Sequence, residues 1–525
     1  MKRPGSRPRI TLLSTALTFA LFCHGCDPAN TVPQEYLDTH ASARISPDYS
    51  DSVIPPNIAP LNFAVKEDAA EYRVRIYADR GEEIIVSSST AKVQIPLDSW
   101  NALLSANRGR ALYFDIYARG EDGNWSRFDT IANSIAEEEI DPYLFYRLFQ
   151  ALYSTYEKMG TYQRNIENFD ESPVILSKPG TGRCVNCHTF INNNPDKMLL
   201  HLRGPDGLAM LIAENGKVTK FDTRGRFKAP AAYSSWHPSG KLIAFSVNKV
   251  VPFHHTARAE TRDVFDFDSD LGLFLFGSNS VATTDSIADP AYLETFPSWS
   301  PDGHYLYFSR TKKTWLADRK GDAIPPHYRD IRYDLMRIGY DVDTGEWGTL
   351  EMVLASEATG MSLTEPRISP DGRFLIIAMH EYGNFAPYLK GSDLYMLELE
   401  TGRYWRMVCN SDEAEGWHSW STNGRWIVFS SKRRDGMLAK PYFSYVDEDG
   451  RSRKPLLLPQ EDPTYYDSLL KTYNLPELAT GPVSVSQREI LEGIRSEAIK
   501  ARGFEDEQGS KGGPPTQEQY PRGFE

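Results

Sequence analysis

Apolar and polar positions alternate over Tyr72-Arg73-Val74-Arg75-Ile76-Tyr77, and shorter runs follow at Glu83-Ile84-Ile85-Val86, Lys92-Val93-Gln94-Ile95 and Ala111–Ala118. Period-two alternation interrupted by turn signals such as Gly120-Glu121-Asp122-Gly123 predicts strands with one face buried. The pattern changes at Pro142–Tyr153, where apolar residues fall three and four apart, which predicts a helix reaching Tyr156 or Met159 and stopping near Gly160. Further on, one phrase recurs four times, beginning at Ser235-Trp236-His237-Pro238, Ser298-Trp299-Ser300-Pro301, Arg367-Ile368-Ser369-Pro370 and Ser419-Trp420-Ser421-Thr422. Each copy runs from an apolar strand end through a Ser-Gly, Asp-Gly or Asn-Gly turn into an alternating strand such as Tyr305-Leu306-Tyr307-Phe308. Helical spacing returns at Tyr465–Tyr473 and Ser486–Ala501, and a Gly- and Pro-rich tail closes the chain.

The first strand group, residues 59–135, is similar to a fibronectin- or immunoglobulin-type sandwich. The four phrases resemble the TolB-type, WD40-like propeller repeat of exported bacterial proteins. Trp236, Trp299, Ile368 and Trp420 stand 63, 69 and 52 residues apart, beyond the usual repeat of about 40–45, so the blades would carry insertions. The expected fold is mainly β: a propeller of five or six blades over 198–462, preceded by the sandwich and by a short helical segment over 136–197. Residues 27–58 read as a tether, 463–505 as C-terminal helices and 506–525 as a disordered tail.

A chain of 525 residues, 40% hydrophobic, holds several cores. The net charge of −13 argues against nucleic acid as a partner and against adsorption to anionic lipid. Lys2, Arg3, Arg7 and Arg9 precede the apolar run Ile10–Phe22, too short to span a bilayer, so the N-terminus reads as an export signal over 1–26. Gly25-Cys26-Asp27 looks like a lipoprotein cleavage site with Cys26 acylated, although Cys23 departs from the usual pattern.

Cysteine usage sharpens the chemistry. Cys184-Val185-Asn186-Cys187-His188 has the spacing that attaches a c-type haem, the thiols forming thioethers and His188 ligating the iron. With 5 Cys and 11 His in the chain, chance would supply about 0.001 such pattern. The alternatives are a thiol redox pair or a zinc site, the second short of ligands because Cys409 is far away. Met198 and His201 are the downstream candidates for the sixth iron ligand and Met159 the upstream one; Lys178, Arg183 and Arg164 are candidate propionate partners.

Weaker signals carry no site. Asp266, Asp268 and Asp270 begin like a calcium loop, but Leu271 stands where Gly is needed and Gly277 where Glu is needed. His254-His255 reads as a loop pair, and no Gly-x-Ser-x-Gly elbow appears.

The whole arrangement resembles Bacteroidetes-type lipoproteins that join a haem-c motif to a TolB-like propeller. That resemblance implies one covalent haem c and a Gram-negative cell envelope, with Cys26 anchoring the chain on a periplasmic or outer-membrane face. The expected function is electron transfer to or from an envelope partner docked on the propeller face. Its rivals are a propeller scaffold in which haem is structural or sensory, and a haem enzyme with an open distal position.

Overall fold

The computed structural model describes residues 31–150, 159–178, 184–204, 207–223, 227, 231–254, 262–315, 324 and 327–502. Within them the fold is mainly β, arranged as eight separate sheets. None of the eight closes or curls on itself, and no backbone ladder runs from one to the next. This corrects the expectation of a TolB- or WD40-like propeller. The recurring phrase specifies a hairpin inside its own sheet and contains nothing that dictates closure.

Two sheets belong to the N-terminal part. Glu71–Ala78 alternates half-buried and buried as its sequence alternates, and pairs antiparallel with Ile84–Ser88 and Ala111–Arg119. The opposing three-stranded sheet joins Ile45–Ser46, Phe63–Val65 and Lys92–Val93. The helix Leu97–Ala106, not expected from the sequence, fixes Trp100 in the core, its Nε1 donating to Ile58 O at 2.8 Å. Residues read as a tether are built in here: Leu37–Ser42 and Val53–Ile54 pair with Trp125–Asp129 and Ile131–Ile135.

Six further sheets follow. Their innermost strands are Cys184–Ile191, Ala232–Trp236, Tyr292–Trp299, Ser362–Ile368, Glu415–Trp420 and Thr472–Ala479. These six touch one another in that order, the last lying against the first. The sixth sheet mixes chain ends: Thr472–Ala479 pairs antiparallel with Tyr143–Phe149. Tyr143–Phe149 was expected to be helical, but it is a strand with Leu144–Phe149 all buried, as befits an apolar run covered on both faces. The second half of that expected helix lies outside the described residues. Downstream, the first C-terminal helix shrinks to Tyr465–Ser468 because Thr472–Ala479 is strand, and the second runs Gln487–Arg495 behind a Ser486/Glu489 capping box.

The turn chemistry of the phrase is visible atom by atom. Ser300 Oγ donates to Asp302 Oδ1 at 2.5 Å and accepts the Tyr305 N–H at 3.0 Å. Ser369 with Asp371 and Phe374, and Ser421 with Asn423 and Trp426, repeat the arrangement. In the first copy His237 replaces the serine, its Nδ1 accepting the Ser239 N–H at 3.1 Å.

A second regularity lies upstream of each turn. The register slips at Ala232/Ser235, Thr295/Ser298, Thr364/Arg367 and Gly416/Ser419. The extra residues Tyr233, Phe296, Glu365 and Trp417 adopt φ of 45°, 54°, 57° and 48°, and Leu475 at the sixth strand's bulge adopts 51°. Left-handed backbone at bulky residues is strained. Repeated β-bulges of this kind re-aim the following side chains toward the centre of the array. Tyr233, Phe296 and Trp417 meet there, Tyr233 stacked on Trp417 at 5.9 Å and 4.7 Å from Phe296 between ring centroids.

Candidate functional site

The residue two places after each bulge is His188, Ser235, Ser298, Arg367, Ser419 or Glu477, the strand Cys184–Ile191 slipping at Val185/His188. Five of these six line one cavity of about 480 Å³ at the centre of the array, its walls completed by Trp236, Trp299, Trp417 and Trp420.

Hydrogen bonds between neighbouring sheets hold that wall. Ser235 Oγ accepts the Trp299 N–H at 3.2 Å, and Glu365 Oε2 accepts the Trp417 N–H at 2.6 Å. Trp420 Nε1 donates to Arg367 O at 3.1 Å, and Ser419 Oγ donates to Pro476 O at 3.2 Å. Glu477 Oε1 accepts from Phe190 N at 2.9 Å and Thr189 Oγ1 at 3.0 Å. At the rim Asp141, on the segment leading from the N-terminal sheets, accepts from Asn193 Nδ2, Thr422 N and Thr422 Oγ1.

The cavity's electrostatics are set by burial. Arg367 is half-buried and lines the cavity. Desolvation lowers its pKa, opposed by the charges of Glu477, Glu365 and Cys187. Its one side-chain hydrogen bond among the described residues is from Nη1 to Pro366 O at 2.9 Å. Glu477 and Glu365 are pushed up to about 7 by burial, against the backbone hydrogen bonds each accepts and the Arg367 charge. His188 and His418 are held neutral, lowered to about 3 by burial and by Arg147 and Arg367 respectively. Both His188 ring nitrogens, His418 Nδ1 and Trp299 Nε1 are buried without a hydrogen-bond partner among the described residues.

The sequence-predicted residues divide sharply. Cys187 and His188 line the cavity, whereas Cys184 is not in its lining and sits with its Sγ 3.8 Å from Met159 Sδ. Met198 is fully buried in the apolar cluster that includes Phe145, Phe190 and Leu200. His201 lines the cavity but is bonded through Nε2 to Ser234 Oγ at 2.9 Å. Arg164 is buried and donates to Asn165 O and Pro459 O. Asp266 is buried too, accepting from Asn248 and Asn384, and Cys409 is a buried free thiol. Cys26, Arg183, His255 and the side chain of His254 lie outside the described residues.

Covalent haem c does not fit this donor set. Among the described residues no three His, Cys, Asp or Glu side chains gather as a metal-holding group. The two thiols of the motif occupy different surroundings, and Met198 is committed to packing and His201 to Ser234. The reading as an electron-carrying cytochrome, its haem-bearing scaffold and enzyme rivals, and the resemblance to lipoproteins pairing haem with a propeller are corrected accordingly. The motif's spacing was specific, but spacing says nothing of strand geometry, which separates Cys184 from the cavity that Cys187 faces.

Sequence reasoning passed over Arg367, Glu477, His418 and Trp417. A signal for the first existed: Arg367 opens the third phrase where the other three open with serine.

No family model and no curated protein matches the chain. Among solved structures it is similar to a luciferin-regenerating enzyme (10% identity, 61% of this chain and 92% of that one, TM-score 0.37). It is also similar to a putative 6-phosphogluconolactonase from Bacteroides fragilis (12%, 61% and 97%, TM-score 0.30). A third is an oligogalacturonate lyase from Vibrio parahaemolyticus (11%, 73% and 100%, TM-score 0.33). With TM-scores this low, the likenesses carry no argument about fold or activity.

Proposed function

We propose that the chain is a binding protein for a small polar organic ligand, taken up in the central cavity between the six inner strands. One observation carries this reading: His188, His418 and Trp299, each with a buried polar atom that has no hydrogen-bond partner among the described residues, all belong to the lining of the same cavity of about 480 Å³. Buried polar groups are almost always paired, and several orphans around one concave space of ligand size mark where a ligand or ordered water completes them. Bulge strain at Tyr233, Glu365, Trp417 and Leu475 supports it, since strained backbone concentrates where side chains must be aimed. The export signal and Cys26 support an envelope protein held by a lipid anchor; incorporation of labelled fatty acid, abolished in Cys26→Ser, tests that part.

The test of the binding reading is thermal-shift and calorimetric titration of the purified chain with small polar organic compounds. Binding is expected to quench tryptophan fluorescence and to be weakened in His418→Leu, which removes an unpartnered nitrogen from the cavity wall. Saturable binding left untouched by that variant and by Trp417→Leu would place the site elsewhere.

A further inference from the structure

We infer that the ligand carries a single carboxylate and that the Arg367 guanidinium is its anchor. This rests on the cavity being a ligand site and adds the class of ligand. The guanidinium has five N–H donors in a planar fork. At Arg367 one side-chain hydrogen bond is made, to Pro366 O, and no carboxylate lies within ion-pair distance among the described residues. A half-buried guanidinium whose fork meets no carboxylate in ion-pair contact is costly, and the usual remedy is a carboxylate taken bidentately.

The surroundings select a monoanion. Glu477 and Glu365 are the nearest acidic influences on Arg367, and both are engaged elsewhere: Glu477 on Thr189 and Phe190, Glu365 on Trp417 N. Raised to about 7 by burial, both are partly ionised at neutral pH, but neither makes an ion pair with the guanidinium. The same two carboxyl groups would repel a phosphate dianion more than a monoanion, and among the described residues no Lys and no second Arg lines the cavity. Cys187, His188, His201, Tyr233 and His418 are the other titratable groups in the wall among the described residues, and His188 and His418 are neutral there. The aromatic wall of Trp417, Trp299 and Tyr233 suits a flat apolar body behind the carboxylate.

Three probes of similar shape decide the matter: benzoate, benzamide and phenyl phosphate, titrated into the full chain at pH 7 by calorimetry. Benzoate is expected to bind best, with affinity falling about 10–100-fold in Arg367→Gln and partly regained in Arg367→Lys. Benzamide binding as well as benzoate overturns the carboxylate anchor while leaving the cavity a ligand site. Phenyl phosphate binding better overturns the choice of a monoanion. Failure of all three, with other polar compounds also failing, sinks the cavity reading itself. The wild-type comparison of isosteric probes decides even where Arg367→Gln does not fold.

Discussion

Glu477 accepts the Phe190 backbone N–H at 2.9 Å, and this contact ties the last inner strand of the chain to the first. The sheets share no backbone ladder, so side-chain bonds, apolar packing and the backbone bond from Thr480 N to Asn193 O at 3.0 Å hold the array at this seam. Glu477 is half-buried at the cavity wall, and an alanine there leaves two part-buried donors without their acceptor, Phe190 N and Thr189 Oγ1. Glu477→Ala is expected to lower unfolding free energy by about 1–3 kcal/mol, with Glu477→Gln recovering much of it through its amide oxygen. Urea denaturation measures both; equal losses in the two variants would mean that charge rather than hydrogen bonding matters.

Asp141 works on the cavity from outside. Its carboxylate holds Asn193 and Thr422, both on the rim, through three hydrogen bonds of 2.5–2.9 Å. Asp141→Ala is expected to cost about 2–3 kcal/mol, the range for hydrogen bonds to a charged group, and to loosen benzoate binding several-fold. Unchanged stability and unchanged affinity together would show that the rim is held by other contacts.

Two glycines in equivalent turns separate strain from crowding. Gly372 has φ of 73° and open space where a Cβ would stand, while at Gly303, φ 77°, a Cβ would lie 2.6 Å from His237 Nε2. That nitrogen also donates to Gly303 O at 3.0 Å, since Nδ1 accepts from Ser239. Gly372→Ala is expected to cost about 1 kcal/mol from backbone strain alone, and Gly303→Ala clearly more. Equal unfolding energies for the two variants would refute the distinction.

How much of this could be read from sequence differs by feature. Period-two alternation located Glu71–Ala78, and the repeated phrase located the hairpins, because turn residues and strand period are local properties. Tyr143–Phe149 misled because a strand buried on both faces loses its alternation and its apolar spacing imitates a helix. The cavity was legible only in part. His188 was noticed for its motif and Arg367 was written into the third phrase, but their shared position after a bulge depends on cross-strand register. Glu477 belongs to a strand that pairs with Tyr143–Phe149, more than three hundred residues earlier, and no local pattern announces such a pairing.

Stability should depend on pH through the buried acids, and the sign follows from their shifts. Glu477 and Glu365 are raised from 4.5 to about 7, and Asp266 and Glu294 reach about 8, all chiefly by desolvation. Between the ordinary carboxylate range and pH 8 the folded chain therefore binds more protons than the unfolded one, and stability falls as pH rises. His188 and His418, lowered to about 3 by burial, act oppositely: the unfolded chain takes up protons first as pH falls below 6.5, so their contribution is lost toward acid. From about pH 7.5 the imidazoles are silent and the carboxyl groups dominate the slope up to about pH 8, above which Lys440, lowered to about 8 by burial, adds stability as pH rises. The melting temperature is thus expected to decline from about pH 7.5 to 8 and to turn upward beyond as Lys440 loses its proton in the folded chain first, and to decline less in Glu477→Gln, which cannot ionise. Benzoate affinity is expected to follow the same direction, strengthening below pH 7 as the two glutamates near Arg367 become neutral. Calorimetric melts of both proteins across pH 6–9 settle the first point; superimposable slopes would show that Glu477 is already ionised in the folded chain.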